Sequence, residues 1–363
     1  MDQREAMQRA LDLAWRGWGR VQPNPLVGAV VLGPGTVEGD GSHAEFGGPH
    51  AEVLALAAAG DRARGATLVV TLEPCLHQGK QPPCTEAILQ AGVTRVVAAI
   101  RDPNPTAGGG AAALEASGVP VELGLLEDQA LAQNALFLHQ FSGSERPFVA
   151  LKLATSIDGR IADRAGHSRW ISGEPARDFV HWLRAGFEAI GVGGFSARVD
   201  DASLTVRGPV EPRVVPTRVV FDRLAELPTG SVLARTALEI PTLVLAGPQA
   251  PPGRITALER MGVHTHRVLS LEAGLSLLGN QRIRSILVEG GGRLAGALLA
   301  AGLVDRFYWI QSPLWVGESG VPAFSGLPGG PLVEADRWRV VERRVLGEDT
   351  LLVMDRRPCL PDS

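Results

Sequence analysis

From Gly41 to Cys84 the chain reads GSHAEFGGPHAEVLAL, then the apolar run ATLVVT, then LEPCLHQGKQPPC. One histidine (His50), a glutamate two residues on (Glu52) and two cysteines (Cys75 and Cys84) are split by an extended segment, and this narrows the possible folds sharply. An imidazole and two thiolates give a tetrahedral ion three protein ligands and leave its fourth position open, as in catalytic rather than structural zinc sites. Prolines precede both His50 and Cys84, so each falls at the first turn of a helix. Unpaired N–H groups there favour thiolate over thiol.

The role expected of Glu52 follows from charge. Two thiolates cancel the charge of the metal, which then acidifies water less than one held by three imidazoles, so a neighbouring carboxylate must help carry the proton. Zinc deaminases that act on pyrimidine or purine rings combine H-x-E with a later P-C and a second cysteine. Here the second cysteine follows nine positions after the first, across residues 76–83. An isolated H-x-E is common by chance, and paired intracellular cysteines are usually buried hydrophobes. The ordered set of strand, HAE helix, strand, PC loop and second helix is what carries the zinc reading.

A chain of 363 residues exceeds the size at which single cores stop growing. Two domains are expected, 1–144 and 145–363, joined through the Gly/Ser-containing stretch FSGSERP at 141–147. The net charge of −4 does not give the positive field that holds a nucleic-acid backbone, so a small substrate is expected and no nucleic acid. There are three cysteines, two claimed by the metal and Cys359 in the C-terminal tail, which leaves no disulfide framework. No apolar run is long enough to span a bilayer, and MDQREAMQRA has no apolar leader core. A cytoplasmic protein with no membrane partner is expected.

Residues 4–18 place Met7, Ala10, Leu11, Ala14, Trp15 and Trp18 at helical spacing. A strand is expected at 26–32, and Asn24 before it, between two prolines, either bonds a base edge or simply makes the turn. Strands at 67–71, 93–100 and 119–123 alternate with helices, the last a long one running to about Phe141, which makes a three-layer α/β domain. Beyond the linker, strands are expected at 148–153, 189–193, near Val219 and Leu243, and at 285–289, with a helix over 174–185. No solenoid repeat is present.

The run GGGRLAGALLAAG after the 285–289 strand lets a phosphate approach the main chain at a helix start. It lacks the G-x-G-x-x-G spacing and comes late in the domain, so a helix-packing turn explains it as well. Lys152 inside an apolar strand calls for a carboxylate or a ligand. Asp200, Asp201, Arg207 and Glu289 sit at element ends, whereas Arg184, at the end of a helix, reads better as a solvated surface charge.

With these stretches laid out, the sequence resembles the bifunctional riboflavin-biosynthesis deaminase–reductases, the RibD family. The resemblance runs through PNPLVGAVV, GPHAEV, VTLEPC, PPC and RDPNP, then LKLATSIDGRIA, SRWIS, VDDASLTVR and VEGGGRLAGALL. It implies a cytidine-deaminase-like three-layer α/β/α domain followed by a dihydrofolate-reductase-like α/β domain, with one Zn2+ and NADPH as cofactors. The implied substrate is a small pyrimidine ribosyl phosphate, deaminated by the first half and reduced at its ribosyl unit by the second. The implied zinc ligands are His50, Cys75 and Cys84, with Glu52 as proton shuttle. Asn24, His43, Lys80 and Asn104 match the family's pyrimidine and phosphate pocket. Lys152, Asp200 and Glu289 match its catalytic cluster around the ribose, and Ser168, Arg184, Leu204 and Arg207, with Glu289, its substrate contacts. Ala154, Trp170, Ser196, Asp200, Gly291, Gly292, Arg293, Leu294, Ala295, Gly296 and Ala297 match the NADPH site. A homodimer through the reductase half is also implied.

Departures from the family pattern are Leu76 and Gln78 after the first cysteine, Arg198, Arg223 and Leu314. Arg198 and Arg223 leave NADPH over NADH open. Two rivals compete with this reading. A nucleic-acid or nucleoside deaminase with an accessory C-terminal domain would share the zinc motif, and a non-enzymatic zinc scaffold would fill the fourth coordination position with protein.

Overall fold

The computed structural model describes residues 1–78 and 82–356. It divides into two compact units, Met1–Gly143 and Ser144–Ser363. Among the described residues, no helix is long and apolar enough to cross a membrane.

The first unit begins with α1 (Gln3–Ala14), closed at its start by a reciprocal capping box between Asp2 and Glu5. Met7, Ala10, Leu11 and Ala14 form its buried face, and the expected continuation to Trp18 is a 3-10 turn, Trp15–Gly17. Strands β1 (Gly28–Leu32) and β2 (Val37–Ser42) form a hairpin, followed by α2 (Ala51–Ala59), β3 (Thr67–Val70), α3 (Cys84–Ala91), β4 (Arg95–Ala98), α4 (Gly110–Ala116) and β5 (Val121–Leu123). The sheet order is β2-β1-β3-β4-β5, antiparallel across the first three strands and parallel from β3 to β5. Helix α2 lies close on β2. A side chain at Gly39 would put its Cβ 2.4 Å from Ala55 O, and one at Gly41 would lie 2.7 Å from Ala51 O. Those two glycines therefore set how near the His50–Glu52 turn comes to the sheet.

The long helix expected to reach Phe141 is broken into α5 (Glu127–Gln133) and α6 (Ala135–His139). At the break, buried Asn134 turns its amide onto the main chain of Leu26, accepting from its N–H (2.8 Å) and donating to its carbonyl (3.0 Å). A distant main-chain partner competes successfully with the local helix, which periodicity alone does not reveal.

The second unit contains β6 (Phe148–Ser156), β7 (Arg160–Ala162), α7 (Glu174–Ala185), β8 (Ala189–Gly193), α8 (Gly194–Asp200), β9 (Thr217–Phe221), α9 (Val232–Arg235), β10 (Thr242–Ala246), α10 (Pro252–Glu259), β11 (His264–Arg267) and α11 (Leu271–Asn280). It continues with β12 (Ser285–Glu289), α12 (Gly292–Ala300), β13 (Arg306–Ser312), β14 (Val321–Pro322), β15 (Trp338–Leu346) and β16 (Asp349–Arg356). The nine-stranded sheet has the order β11-β10-β9-β8-β12-β6-β13-β16-β15. It is parallel from β11 to β13, with β16 and β15 antiparallel, while β7 and β14 form a small ribbon. The central strands β8 and β12 are buried almost throughout, as both-faced parallel strands must be. The carboxyl ends of β8, β12 and β6 open at the middle of this sheet, where ligands of open α/β folds bind.

Candidate active sites

In the first unit, His50 is the N-cap residue of α2 and Cys84 opens α3. His50 Nδ1 lies 3.2 Å from Cys84 Sγ and 3.5 Å from Cys75 Sγ, and the ligand atoms of all three residues fall within 4.8 Å of one another. An imidazole and two sulfurs so placed are a zinc donor set. The residues thus fit the ion. The group comprises these three residues alone among the described residues, and Glu52 stays outside it. The Cys84 N–H, at the start of α3, donates to Cys75 Sγ (3.4 Å). Hydrogen bonds from Cys84 and His50 draw the Cys75 thiol down, while the bond to Cys75 and burial push Cys84 up.

Glu52, 4% exposed, sits in the first turn of α2 against His50 and Cys84. Burial raises its carboxyl above the ordinary value. It can therefore hold and release a proton beside the metal ligands. His43 is kept neutral chiefly by burial, its Nδ1–H donating to Pro49 O (3.1 Å) and its Nε2 facing Asn24 Nδ2 (3.1 Å). Asn24 thus meets the site through His43. Asn104 lies half-buried on the loop after β4, its Oδ1 accepting from Thr106 N (3.0 Å). Lys80, like Cys359 in the tail, lies outside the described residues.

In the second unit, Lys152 on β6 stands directly across from Glu289 on β12. Arg184 from α7 grips Glu289 with two parallel bonds, Nε to Oε1 (2.5 Å) and Nη2 to Oε2 (2.8 Å), and sends Nη1 to Thr205 O (2.8 Å). Burial alone would raise the Glu289 carboxyl, but Arg184 and then Lys152 bring it below the ordinary value. Burial, helped by Arg184, lowers Lys152. Asp200 ends α8 and accepts from Ser168 Oγ (3.4 Å), so the carboxylate across from Lys152 is that of Glu289. Arg207 donates to Ser203 Oγ (2.8 Å), and the side chain of Leu204 lies in the core. Trp170 is 70% exposed, with the Arg177 guanidinium 4.5 Å above its ring. Ala154 is half-buried near the end of β6.

The glycine run divides into two jobs. Helices α8 and α12 both start at the carboxyl edge, after Gly193 and Gly291, with no side chain capping either start. A Cβ at Gly291 would lie 2.6 Å from Ser196 Oγ, so the two helix starts nearly touch, with main-chain amides that no side chain caps. Such a cradle fits a dinucleotide pyrophosphate. Gly292 and Gly296 instead admit the strand-like segment above them, since a Cβ there would meet Pro322 O at 2.4 Å and Ser325 O at 2.3 Å. Ala295 is core, Leu294 half-buried, and Arg293 and Ala297 exposed. The packing explanation of the run accounts for Gly292 and Gly296, and the cradle at Gly291 leaves the phosphate explanation open there.

Three residues near the first site went unnoticed in the sequence. Glu73 is buried and accepts two main-chain N–H groups, Asp102 beside it is a carboxyl raised by burial, and the buried Nδ1 of His77 has no partner among the described residues. A charged residue closing an apolar strand, as in VVTLEP, is the signal that could have found Glu73.

Two family profiles match the chain: the RibD C-terminal domain over residues 147–352, and the cytidine and deoxycytidylate deaminase zinc-binding region over residues 1–100. The riboflavin biosynthesis protein RibD of Bacillus amyloliquefaciens is 41% identical over 322 residues, covering 87% of this chain and 86% of its own. That of Escherichia coli K12 is 39% identical, covering 95% and 97%. The chain belongs to the RibD family. RibD from Acinetobacter baumannii superposes with a TM-score of 0.80 at 36% identity, over 98% of this chain and 99% of that one. The Thermotoga maritima diaminohydroxyphosphoribosylaminopyrimidine deaminase/5-amino-6-(5-phosphoribosylamino)uracil reductase gives 0.81 at 35%, with the same coverage. As a RibD-type chain, the protein is a bifunctional riboflavin-biosynthesis enzyme, a zinc-binding deaminase joined to a reductase of the NADPH-dependent kind.

Proposed function

We propose that residues 1–144 remove the ring amino group of 2,5-diamino-6-(5-phosphoribosylamino)pyrimidin-4(3H)-one, and that residues 145–363 then reduce the ribosyl side chain to give 5-amino-6-(5-phosphoribitylamino)uracil. The two activities in the name of the Thermotoga maritima relative support this order of steps. The observation that carries it is the gathering of His50, Cys75 and Cys84 within 4.8 Å, against buried Glu52, in a chain that continues into a reductase unit.

Zinc held by His50, Cys75 and Cys84 would supply Lewis acidity to a water directed at the amino-bearing ring carbon. Glu52 takes a proton from that water and hands it to the departing nitrogen, which leaves as ammonia. His43 and Asn24 hold the ring edge, and Lys80 and Asn104 the phosphate end.

NADPH supplies the hydride for C1 of the opened sugar. The helix starts at Gly193 and Gly291, with Ser196 between them, would take the pyrophosphate, flanked by Ala154, Trp170, Asp200 and Arg293. Lys152, with Asp200, steers the accompanying proton. Glu289 faces Lys152 across the strands, and Ser168, Arg184, Leu204 and Arg207 shape the substrate side, Leu204 through its main chain. The protein works in the cytoplasm as a homodimer through the reductase unit, without nucleic-acid or membrane partners.

The test is incubation of the pure protein with the diaminopyrimidine phosphate, following ammonia and the absorbance of reduced nicotinamide. Ammonia is expected without NADPH, and NADPH oxidation only once deaminated product is present. Ammonia released from tRNA and not from the free nucleotide would favour the nucleic-acid deaminase instead.

A further inference from the structure

Two residues before Cys75 lies a carboxylate that neither the ligand set nor proton transfer uses. Glu73 is 4% exposed. Its Oε2 accepts the N–H of Asp102 (3.1 Å) and its Oε1 the N–H of Ala111 (2.9 Å), while its own N–H donates to Ile100 O (2.9 Å). The two accepted amides bracket the loop between β4 and α4 that carries Asn104. Gly109, at the start of α4, has no side chain to cap it, so Glu73 caps that helix from the loop after β3.

The same two segments meet at further points. Leu76 N–H donates to Ala107 O (3.0 Å), and a Cβ at Gly110 would fall 1.8 Å from Pro74 O. The stretch that delivers Cys75 and the loop that delivers Asn104 are thereby tied into one piece. Because a buried charge is tolerated only when its oxygens are bonded, the carboxylate and the two amides hold each other in register.

We propose that Glu73 is a positioning residue for deamination, fixing the Asn104 loop relative to metal ligand Cys75 so that the substrate is held at the right distance from the metal. This rests on the deaminase reading above. Both oxygens must accept. Glutamine keeps the shape but turns an NH2 toward a main-chain N–H, and aspartate keeps the charge but is too short to reach both amides.

The experiment uses full-length, zinc-loaded protein carrying Glu73→Gln or Glu73→Asp, with Glu115→Gln, an exposed position on α4, as the control for charge loss. Zinc per chain, reductase activity and the kinetics of ammonia release from the diaminopyrimidine phosphate are measured. Both Glu73 variants should keep zinc and reduction while KM for deamination rises roughly tenfold or more, with a smaller change in kcat. Glu115→Gln should match the wild type. Unchanged KM in both Glu73 variants, or zinc lost from both, overturns the proposal. A wild-type protein that releases no ammonia overturns the deaminase reading instead.

Discussion

Glu52 and Glu289 are both carboxylates withdrawn from water at the centre of a site, with 4% of Glu52 and 14% of the Glu289 side chain exposed. Their surroundings push them in opposite directions. Around Glu52, burial dominates and raises the carboxyl. Around Glu289, burial pushes the same way but loses to the Arg184 fork and to Lys152, and the carboxyl falls. A raised carboxyl takes up a proton more readily than a free one, whereas a lowered one holds its charge more firmly. One residue type is thus tuned in opposite directions, as the proposed proton carrier in the first unit and the proposed fixed anion in the second.

The sharpest way to break this contrast is Glu52→Gln. Ammonia release should fall by about 10²–10⁴-fold, with zinc content and reduction retained. A variant that still deaminates at the wild-type rate removes the proton-carrying role. Lys152→Ala is the matching change in the second unit. Reduction should be lost, by roughly a hundredfold or more, and ammonia release retained. Equal loss of both activities would mean the two clusters do not separate the chemistry.

The two clusters also differ in how readily the sequence betrays them. Two of the three candidate zinc ligands were legible through a local device, Pro49 before His50 and Pro83 before Cys84, at helix starts that the structure places at the same two residues. The Lys152–Glu289–Arg184 cluster draws on residues of which Arg184 and Glu289 are 105 apart in sequence. Its pairing depends on strand order, since β12 inserts between β8 and β6. Lys152 and Glu289 were each conspicuous, but nothing local identified Arg184 as the partner of Glu289. The glycine run was ambiguous for a similar reason, because whether a glycine serves a ligand or a packed segment depends on what lies above it, and β14 arrives from far along the chain.

The fixed-charge reading of Glu289 sharpens through pH. Its folded value lies below the ordinary 4.5, so its contribution to stability is fully present above 4.5 and is lost as pH falls through the folded value. Glu289→Gln leaves Arg184 and Lys152 without their anion, which should cost the reductase unit about 3–5 kcal/mol at neutral pH. Urea denaturation followed by circular dichroism should show wild type and variant converging as the pH drops below 4.5, and a constant gap would contradict the assignment.

The smallest effect tests the first unit, where an uncharged group does by hydrogen bonds alone what ion pairing does in the second. Asn134, 2% exposed, satisfies both main-chain groups of Leu26, two residues beyond Asn24. Asn134→Ala strands a buried donor and a buried acceptor and should destabilise the deaminase unit by about 1–3 kcal/mol. Heat inactivation of ammonia release reads the loss directly. Asn134→Asp separates the two bonds, since it keeps an acceptor for Leu26 N–H but offers no donor to Leu26 O. If the break between α5 and α6 is held by both bonds, aspartate should fall between wild type and alanine at neutral pH, before any cost of its own buried charge is counted. An alanine variant as heat-stable as the wild type would show that the helix breaks there for local reasons, with Leu26 only a bystander.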